Sequence, residues 1–258
     1  MSASWVDIPW TVLDFETSGT DLKSDRAVQV AVVQLDSTGV KRSLCHVVNP
    51  GIEIPQGAID VHGITNERAR AEGLDPAKVV PQVAGIVEAA WGRGEPVLAC
   101  NASFDVTVLD REMRRHMGRG LDLTGAAVLD PLVIDRACDT YRPGGRKLTD
   151  LAAHYKVKQE GAHDALADCL TAARVVWRQA RETVTEVYGP NGRKRRCDYS
   201  PLRALDLPSL HVWQAERYAE WAEGFELYLH TKADPRQPDA VVDRDWPWRP
   251  LVGAGVSA

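Results

Sequence analysis

Residues 10–19 read WTVLDFETSG, and the rest of the predicted sheet is built around them. Apolar residues alternate here with the carboxylates Asp14 and Glu16 before a Ser-Gly turn signal. Side chains of a β-strand point alternately to opposite faces, so the two carboxylates share one face while Leu13 and Phe15 share the other. Two carboxylates this close repel each other unless a cation lies between them, and hard oxygen ligands suit Mg²⁺ or Mn²⁺. The stretch predicts a strand that carries ligands for a divalent ion, although a pair of surface charges gives the same pattern.

The runs that follow this strand predict a mixed sheet. Val-rich and Leu-rich runs at 27–35 and 43–48, separated by turn signals, are expected to be its antiparallel neighbours. Residues 50–62 are predicted to form a loop. Helical spacing then appears at 78–91, 105–117 and 147–155, and short apolar runs appear at 96–100 and 126–130. Strands followed by alternating helices and strands favour an α/β fold in which helices cover a mixed sheet.

The composition of the chain changes near residue 189. A long helix is predicted over 163–187, and Gly189-Pro190-Asn191-Gly192 then breaks the chain. The apolar stripe predicted for that helix consists of Leu166, Leu170, Ala173, Trp177, Ala180 and Val184. We therefore divide the chain into a main domain, residues 1–188, and a C-terminal extension, residues 189–258, whose role the sequence does not indicate.

The extension is rich in aromatic residues and contains four of the eight tryptophans. An amphipathic helix is predicted from the spacing of Leu210, Trp213, Tyr218, Trp221, Phe225 and Tyr228. These side chains are expected to pack on the main domain or to form a homodimer surface, with a nucleic-acid clamp as a further alternative. The basic run at 193–196 is either a contact for a nucleic-acid backbone or a solvated linker.

The overall composition is that of a globular protein, with 44% hydrophobic and 26% charged residues in 258. No apolar run approaches about eighteen residues and the N-terminus does not resemble a secretory signal, so we expect a cytoplasmic protein that does not span a membrane. The five cysteines include no Cys-x-x-Cys pair, so we expect buried thiols rather than disulfides or a zinc module. The net charge of −5 argues at first against a nucleic-acid partner.

Two further acidic residues lie where helices are predicted to begin. Asp105 follows an apolar run and falls in the first turn of a helix, beside the strand end where open α/β sheets bind ligands. Asp168 follows His163 at the start of the long helix, where Ala165 and Ala172 are expected to leave room for metal and phosphate. An acid also stabilises a helix N-terminus, and a lone histidine is commonly structural, so each of these residues has a non-catalytic alternative.

A second Asp-x-Glu pattern occurs at Asp110 and Glu112. It falls in a predicted helix, where residues two apart point in directions that differ by about 200°. We interpret this pair as part of a solvated surface.

Five motifs together resemble one enzyme family. They are DFETSG at 14–19, VHGIT at 61–65, NASFD at 101–105, KLTDLAAHY at 147–155 and HDALAD at 163–168. Their order and spacing resemble those of the 3′–5′ exonucleases of the DEDD type with a histidine, the epsilon-subunit-like proofreading members of the ribonuclease H-like superfamily. The resemblance covers roughly residues 8–180. It implies a ribonuclease H-like mixed sheet of five strands flanked by helices, here with a helical C-terminal extension.

The resemblance also implies a role for each matching residue. The ligands of two divalent ions, Mg²⁺ or Mn²⁺, would be Asp14, Glu16, Asp105 and Asp168. The general base that takes a proton from the attacking water would be His163. The contacts to the terminal nucleotide would be Thr17, His62, Asn101 and Phe104. Phe104 is equally compatible with a core position, and His62 and Asn101 with structural hydrogen bonds.

The leading functional hypothesis is hydrolysis at single-stranded or frayed 3′ ends, of DNA rather than RNA, with release of nucleoside monophosphates. An RNA-directed enzyme that resembles ribonuclease T or the oligoribonucleases is the second hypothesis. The third is a binding module without catalysis, which the presence of all five catalytic residues disfavours. Proofreading family members join a polymerase through a C-terminal segment, but the extension has no recognisable clamp-binding motif. A polymerase partner and a free-standing enzyme therefore both stay open.

Overall fold

A five-stranded mixed sheet forms the centre of the protein. The computed structural model describes residues 4–159, 164–188, 194–232 and 240–251. The strands of the sheet are β1 (Trp10–Thr17), β2 (Ala27–Asp36), β3 (Gly39–Val47), β4 (Val97–Leu98) and β5 (Val128–Leu129). Their spatial order is β3-β2-β1-β4-β5, with β1, β2 and β3 antiparallel and with β4 and β5 parallel to β1. The predicted α/β fold with a five-stranded mixed sheet is confirmed.

Helices connect and follow these strands. In chain order they are α1 (Gln56–His62), α2 (Asn66–Glu72), α3 (Pro76–Gly92), α4 (Ala102–Met117), α5 (Pro131–Cys138), α6 (Leu148–His154), α7 (Ala165–Gln179), α8 (Pro201–Ala204) and α9 (Leu207–Lys232). A hairpin of β6 (Thr185–Tyr188) and β7 (Lys194–Cys197) lies between α7 and α8 in the chain. The helices predicted at 78–91, 105–117 and 147–155 correspond to α3, α4 and α6.

The two faces of β1 contribute to different hydrophobic cores. Leu13 and Phe15 pack in one core with residues of α3 and α4. Val12 packs in the other core with residues of α7. Because side chains alternate along a strand, Asp14 and Glu16 continue the Val12 face and point toward the α7 side of the sheet. The alternating pattern of β1 therefore directs both carboxylates toward one helix.

The segment predicted as a loop, residues 50–62, ends in a helix instead. α1 occupies Gln56–His62, and His62 is its one buried side chain. The helix ends at Gly63, whose φ of 72° lies in the left-handed region that glycine adopts readily. Seven residues with a single buried side chain produce no apolar stripe, so the periodic pattern could not reveal this helix.

α7 is shorter than the helix predicted over 163–187, and the predicted stripe is only partly buried: Ala173 and Ala180 are each 6% exposed. It ends at Gln179, and part of the remaining segment forms β6. Its buried side includes Ala165, Cys169, Ala172 and Val176. In contrast, Trp177 and Val184 of the predicted stripe are 46% and 44% exposed. Small side chains let α7 approach β1 and β2 closely, so Ala165 and Ala172 belong to the core and do not leave the space that we expected beside Asp168.

The basic run at 193–196 falls mostly within β7. Lys194 to Arg196 belong to that strand, which pairs antiparallel with β6, whereas Arg193 lies outside the described residues. Arg196 forms a salt bridge of 3.0 Å with Asp198.

Asp110 and Glu112 are buried, contrary to the prediction of a solvated surface. Each is 1% exposed. Asp110 accepts hydrogen bonds from Arg114 Nε at 2.8 Å and from the Leu121 N–H at 3.0 Å. Glu112 accepts one from the Ala27 N–H at the start of β2, at 3.1 Å. The two side chains point in different directions, as expected. Each accepts a hydrogen bond from a backbone N–H of another segment, which a pattern within one helix cannot show.

The edge of β5 is covered by α9. Gln214 is fully buried, and its amide accepts from the Asp130 N–H at 2.8 Å and donates to the Val128 carbonyl at 2.8 Å. The Val128 N–H donates to His211 Nδ1 at 3.1 Å. Two side chains of α9 thus satisfy backbone groups that a further strand would otherwise pair. The helix predicted in the extension is present as α9. Leu210 and Tyr218 of its predicted apolar stripe are buried and pack on the main domain, but the stripe is wrong at Phe225 and Tyr228, which are 39% and 53% exposed.

The segment after α9, residues 240–251, is attached to α4 and α9. Trp246 is 8% exposed, contacts the His211 ring at 5.1 Å between centroids, and donates Nε1 to Asp130 at 3.4 Å. The Arg249 N–H donates to Thr107 Oγ1 of α4 at 3.0 Å. The last described residues therefore brace the helix that carries Asp105.

The boundary at residue 188 stays a prediction about how the chain divides. Described residues on its two sides share one hydrophobic core, in which Leu202 and Leu210 lie with Val12 and Val176. The Trp5 indole also donates to the Leu202 carbonyl at 2.8 Å.

Two expectations from composition concern membranes and cysteines. Within the described ranges, none of the helices combines the length and the apolar character that crossing a bilayer requires.

All five cysteines lie in these ranges as thiols. Cys138, Cys169 and Cys197 are buried, but Cys100 is half-buried and Cys45 is exposed, so the expectation of buried thiols is wrong for Cys45.

We expect Gln214→Ala to lower the free energy of unfolding by about 2–4 kcal/mol, because it leaves a buried N–H and a buried carbonyl of β5 without partners and opens a cavity. Urea unfolding measures this change. The control Glu216→Ala, on the same helix and 61% exposed, is expected to stay within about 0.5 kcal/mol of the wild type. Equal effects of the two substitutions would contradict the role assigned to Gln214.

Candidate active site

Acidic residues gather at the edge of the sheet where its parallel strands end. β1, β4 and β5 run in the same direction, so their carboxyl ends meet at this edge. β1 brings Asp14 and Glu16, and α4 begins just after β4 and brings Asp105 in its first turn. α7 brings Asp168 in its first turn from the face that Asp14 and Glu16 share. Three elements thus carry the four carboxylates predicted as metal ligands.

Asp14, Glu16 and Asp168 form a carboxylate cluster. One oxygen atom of each lies within 4.8 Å of the other two, and all three residues are half-buried. The N-terminal end of α7 adds the positive end of a helix dipole beside these negative charges. Oxygen-only donor sets of this kind suit hard divalent cations such as Mg²⁺ and Mn²⁺. The cluster therefore fits the metal chemistry predicted from the sequence.

Asp105 lies next to this cluster and is engaged by the backbone of β1. It is 3% exposed, and its Oδ1 accepts a hydrogen bond of 2.9 Å from the Phe15 N–H. Phe15 lies between Asp14 and Glu16, so this bond joins the first turn of α4 to the strand that carries both carboxylates. Asp105 is not one of the three residues whose oxygen atoms group within 4.8 Å.

Burial and mutual repulsion make the charged forms of these acids costly. Burial raises the pKa of Asp14 well above its usual range, and the charges of Asp105 and Glu16 raise it further. Burial, with the charges of Asp168 and Asp164, raises the pKa of Glu16 to about 7. Burial also raises the pKa of Asp105, against the opposing effect of the Phe15 hydrogen bond. A bound cation or a proton therefore stabilises this arrangement.

A cleft of about 510 Å³ opens beside the cluster. Its lining includes Glu16 and three of the four residues predicted to contact a nucleotide: Thr17, His62 and Phe104. Thr17 Oγ1 donates to the Gly19 carbonyl at 2.6 Å, and His62 Nδ1 accepts from a backbone N–H two residues later at 3.1 Å. Glu16 thus belongs both to the carboxylate cluster and to the wall of the cleft.

Asn101, the fourth predicted contact, lies outside the lining of this cleft. It is exposed and adopts φ 68° and ψ 49° immediately before α4, a left-handed conformation that asparagine tolerates better than most residues. Its backbone N–H donates to Asp130 Oδ1 at 3.1 Å. The structure gives Asn101 a part in starting α4, and its contact with substrate stays a prediction.

His163, the predicted general base, lies outside the described residues. The described chain resumes at Asp164, whose carboxylate accepts the Leu166 N–H at 3.0 Å and caps α7. Sequence reasoning assigned no role to Asp164, although an aspartate before an apolar helix is a common N-cap signal. Its charge also contributes to the raised pKa of Glu16.

Asp130 connects the elements around the site. It is 1% exposed, and its carboxylate accepts from the N–H groups of Ala102 at 2.8 Å and Leu132 at 2.9 Å, as well as from Asn101 and Trp246. It therefore caps α5 and at the same time holds the start of α4. Such a network across distant segments has no local signal beyond the Asp-Pro start of a helix.

Comparison with protein family models assigns this chain to a family. The RNase_T family model, described as an exonuclease, matches residues 11–176. The chain belongs to this exonuclease family. The match covers the chain from β1 through most of α7. This region includes His163 and every residue predicted to be a metal ligand. The family resemblance read from the five motifs is confirmed.

Relatives of this exonuclease domain occur within longer proteins. The PolC-type DNA polymerase III of Lacticaseibacillus paracasei is 26% identical over 182 residues, which are 70% of this chain and 12% of that protein. The 3′–5′ exonuclease DinG of Bacillus subtilis is 26% identical over 162 residues, 62% of this chain and 16% of that protein. The chain thus spans only a small part of the length of these relatives.

Solved structures of exonuclease I share the fold of this exonuclease domain. Escherichia coli exonuclease I in complex with a dA16 oligonucleotide is 23% identical with a TM-score of 0.56, over 66% of this chain and 40% of that one. Exonuclease I of Methylocaldum szegediense is 22% identical with a TM-score of 0.56, over 67% of this chain and 41% of that one. At these identities the likeness extends to the fold alone.

The raised pKa of Glu16 predicts a pH dependence of stability in the metal-free protein. Its pKa rises from an ordinary value near 4.5 to about 7 on folding, so the folded state binds this proton more tightly than the unfolded chain. The resulting stabilisation is present below pH 4.5 and is lost as the pH rises through about 7. In EDTA, the Tm of the wild type is expected to fall between pH 5 and pH 8 more than that of Glu16→Gln.

Scanning calorimetry measures this difference, with Glu53→Gln as the control because Glu53 is 75% exposed. The control is expected to follow the wild type at every pH. Identical pH profiles of all three proteins would show that the Glu16 proton is not linked to folding.

Proposed function

We propose that this chain is a metal-dependent 3′–5′ exonuclease that hydrolyses phosphodiester bonds at single-stranded or frayed 3′ ends of DNA and releases nucleoside 5′-monophosphates. The observation that carries the proposal is the shared position of Glu16, which belongs both to the carboxylate cluster and to the adjacent cleft. A nucleotide held in this cleft would have its phosphate next to the cluster. Membership of the exonuclease family supports the same reaction.

Asp14, Glu16 and Asp168 would hold the divalent ions, and Asp105 would join them from the first turn of α4. Two bound ions would supply Lewis-acid stabilisation of the charge that develops at the phosphate during an in-line displacement. The chain keeps the carboxylates in place by packing β1 between α4 and α7 and by the bond from the Phe15 N–H to Asp105. Raised pKa values of Asp14, Glu16 and Asp105 support a cation as the natural partner of this cluster.

The cleft would bind the terminal nucleotide. Phe104 is half-buried on its wall, where its ring would stack on a base, an interaction that tolerates any sequence. Thr17 follows Glu16 directly on β1, so its backbone or hydroxyl would contact the sugar or phosphate next to the ions. His62, at the end of α1, would close the opposite wall.

His163 would act as the general base that takes the proton from the attacking water. It directly precedes the N-cap of α7, and Asp168 lies in the first turn of that helix. This position in the chain supports its action at the same helix end as the cluster. Histidine changes protonation between pH 5 and 8, which suits proton transfer at neutral pH.

DNA is the proposed substrate because of what the similar proteins act on or bind. The relatives include DNA polymerases, and exonuclease I has been solved with dA16 and with dT13 oligonucleotides. A polymerase partner is supported by the PolC-type relatives, in which the matched region is part of a far longer chain. The homodimer expected from the extension stays a prediction without such support.

We expect Asp14→Asn to slow hydrolysis of a 5′-labelled single-stranded DNA 20-mer by about 1,000-fold or more in Mg²⁺ or Mn²⁺, because metal assistance is worth several kcal/mol. Denaturing gels measure the loss of nucleotides from the 3′ end. The control Asp122→Asn replaces an exposed loop carboxylate and is expected to keep the wild-type rate. Equal background rates of wild type and Asp14→Asn would refute the proposed activity, and faster hydrolysis of a matched RNA would assign the RNA-directed alternative.

We expect His163→Gln to lower kcat by about 100-fold to 10,000-fold and, at saturating Mg²⁺, to remove the rise in kcat between pH 5.5 and 7.5, since glutamine cannot accept the proton. Steady-state kinetics across this pH range measure both effects. Binding of Mn²⁺, followed by calorimetry, is expected to persist in the variant, and His230→Gln on the exposed side of α9 serves as the control. A variant that keeps the pH dependence of the wild type would exclude His163 as the base.

A further inference from the structure

A further concave surface lies on the outer flank of α7, and its lining shares no residue with the cleft. We call it the α7 groove; it has a volume of about 470 Å³ and lies between α7, the start of β3 and the segment after α6. Its floor is apolar and consists of Trp10, Leu35, Val40, Val157, Leu170 and Ala173. Its rim carries four basic side chains: Lys156, Lys158, Arg174 and Arg178.

The rim is basic although the whole chain carries a net charge of −5. Arg178 is paired with Glu182 at 3.4 Å. In the described part of the chain, neither Lys156 nor Arg174 has a carboxylate within salt-bridge distance; the Arg174 guanidinium donates instead to the Lys158 carbonyl at 3.0 Å. The groove therefore presents positive charge that the described residues do not neutralise, and an anionic occupant complements it.

Apolar surface is exposed at the same place. Val40 is 52% exposed and Trp177 is 46% exposed, which is unusual for large apolar side chains that line the same concave site. Arg181 stacks over the Trp177 ring with its guanidinium 3.5 Å from the ring centroid and adds further positive charge. An occupant that matches this surface combines acidic groups with a bulky apolar group.

The α7 groove faces away from the path proposed for the nucleic-acid substrate. Trp177 follows Asp168 by nine residues, and a rotation of about 100° per residue places it on the opposite side of α7. A nucleic-acid strand whose 3′ end lies at the carboxylate cluster would have to pass around the helix to reach the groove. This geometry favours a separate partner over the reacting strand.

We infer that the α7 groove docks an acidic segment of a partner protein, with an aliphatic or aromatic side chain inserted over the apolar floor and flanking carboxylates on the rim. The charge of the rim selects the acidic segment, and the apolar lining of the floor selects an apolar side chain within it. Docking here would tether the exonuclease domain while leaving the cleft accessible. This inference does not depend on the identity of the nucleic-acid substrate.

Fluorescence anisotropy with the full chain tests the inference. The probe is a fluorescein-labelled peptide, Glu-Asp-Glu-Leu-Phe-Asp-Glu. Two matched peptides serve as controls: one replaces all acidic residues by lysine, and the other replaces Leu-Phe by Gly-Ser. We expect the first peptide to bind saturably, at least 10-fold more tightly than either control, and to weaken as the salt concentration rises.

Variants at the rim and the floor locate the binding. The rim variant Lys156→Glu and the variant Trp177→Ala are each expected to weaken the peptide at least 10-fold, whereas the control Lys78→Glu on α3, with the same change of charge, is not. Urea unfolding and the rate of DNA hydrolysis are expected to match the wild type in all of them. Absence of saturable binding up to 1 mM peptide, or equal binding of the three peptides, would overturn the inference. Displacement of the peptide by dT16, with dT16 binding also lost in the rim variant, would assign the groove to nucleic acid instead.

Discussion

Several carboxylates lie within a few ångströms of one another at the end of β1, and their mutual repulsion is the constraint on which the rest of the site depends. Like charges in a half-buried position stay together only if rigid elements hold them and a counter-charge is available. The structure provides the first requirement from both faces of the sheet. α7 brings Asp168 to the face of Asp14 and Glu16, and the hydrogen bond from the Phe15 N–H holds Asp105 beside them. A bound divalent cation, as proposed above, would meet the second requirement.

The C-terminal residues take part in this support although they lie beyond the family match at 11–176. The Gln214 side chain forms hydrogen bonds with backbone groups along the open edge of β5. The Trp246 indole donates to Asp130, and the Asp130 carboxylate accepts the Ala102 N–H at the start of α4. Arg249 contacts the same helix through Thr107. The chain of contacts thus runs from the last described segment to the helix that carries Asp105. Tyr218 and Trp246 of the extension are buried and pack at this junction, whereas Phe225 and Tyr228 are exposed.

The sequence predicted well what depends on local pattern. The alternation at residues 10–17 predicted β1 and the common face of Asp14 and Glu16, and the order of the apolar runs along the chain predicted the mixed sheet. It predicted poorly what depends on packing between distant segments. The apolar stripe predicted for α7 includes Trp177 because large apolar residues dominate such patterns. The close approach of α7 to the sheet instead requires small side chains such as alanine and cysteine. Asp110 and Glu112 looked solvated because their partners, such as the Leu121 and Ala27 N–H groups, are contributed by other segments. α1 has too few buried residues to leave a periodic signal.

The carboxylates at the end of β1 are proposed to hold divalent ions, and anomalous diffraction from crystals soaked in Mn²⁺ would detect these ions. Two anomalous peaks about 4 Å apart are expected, each at bonding distance from carboxylate oxygens of Asp14, Glu16, Asp105 or Asp168. Soaked crystals in which the carboxylates keep their positions but no peak lies at these residues would rule out the metal site.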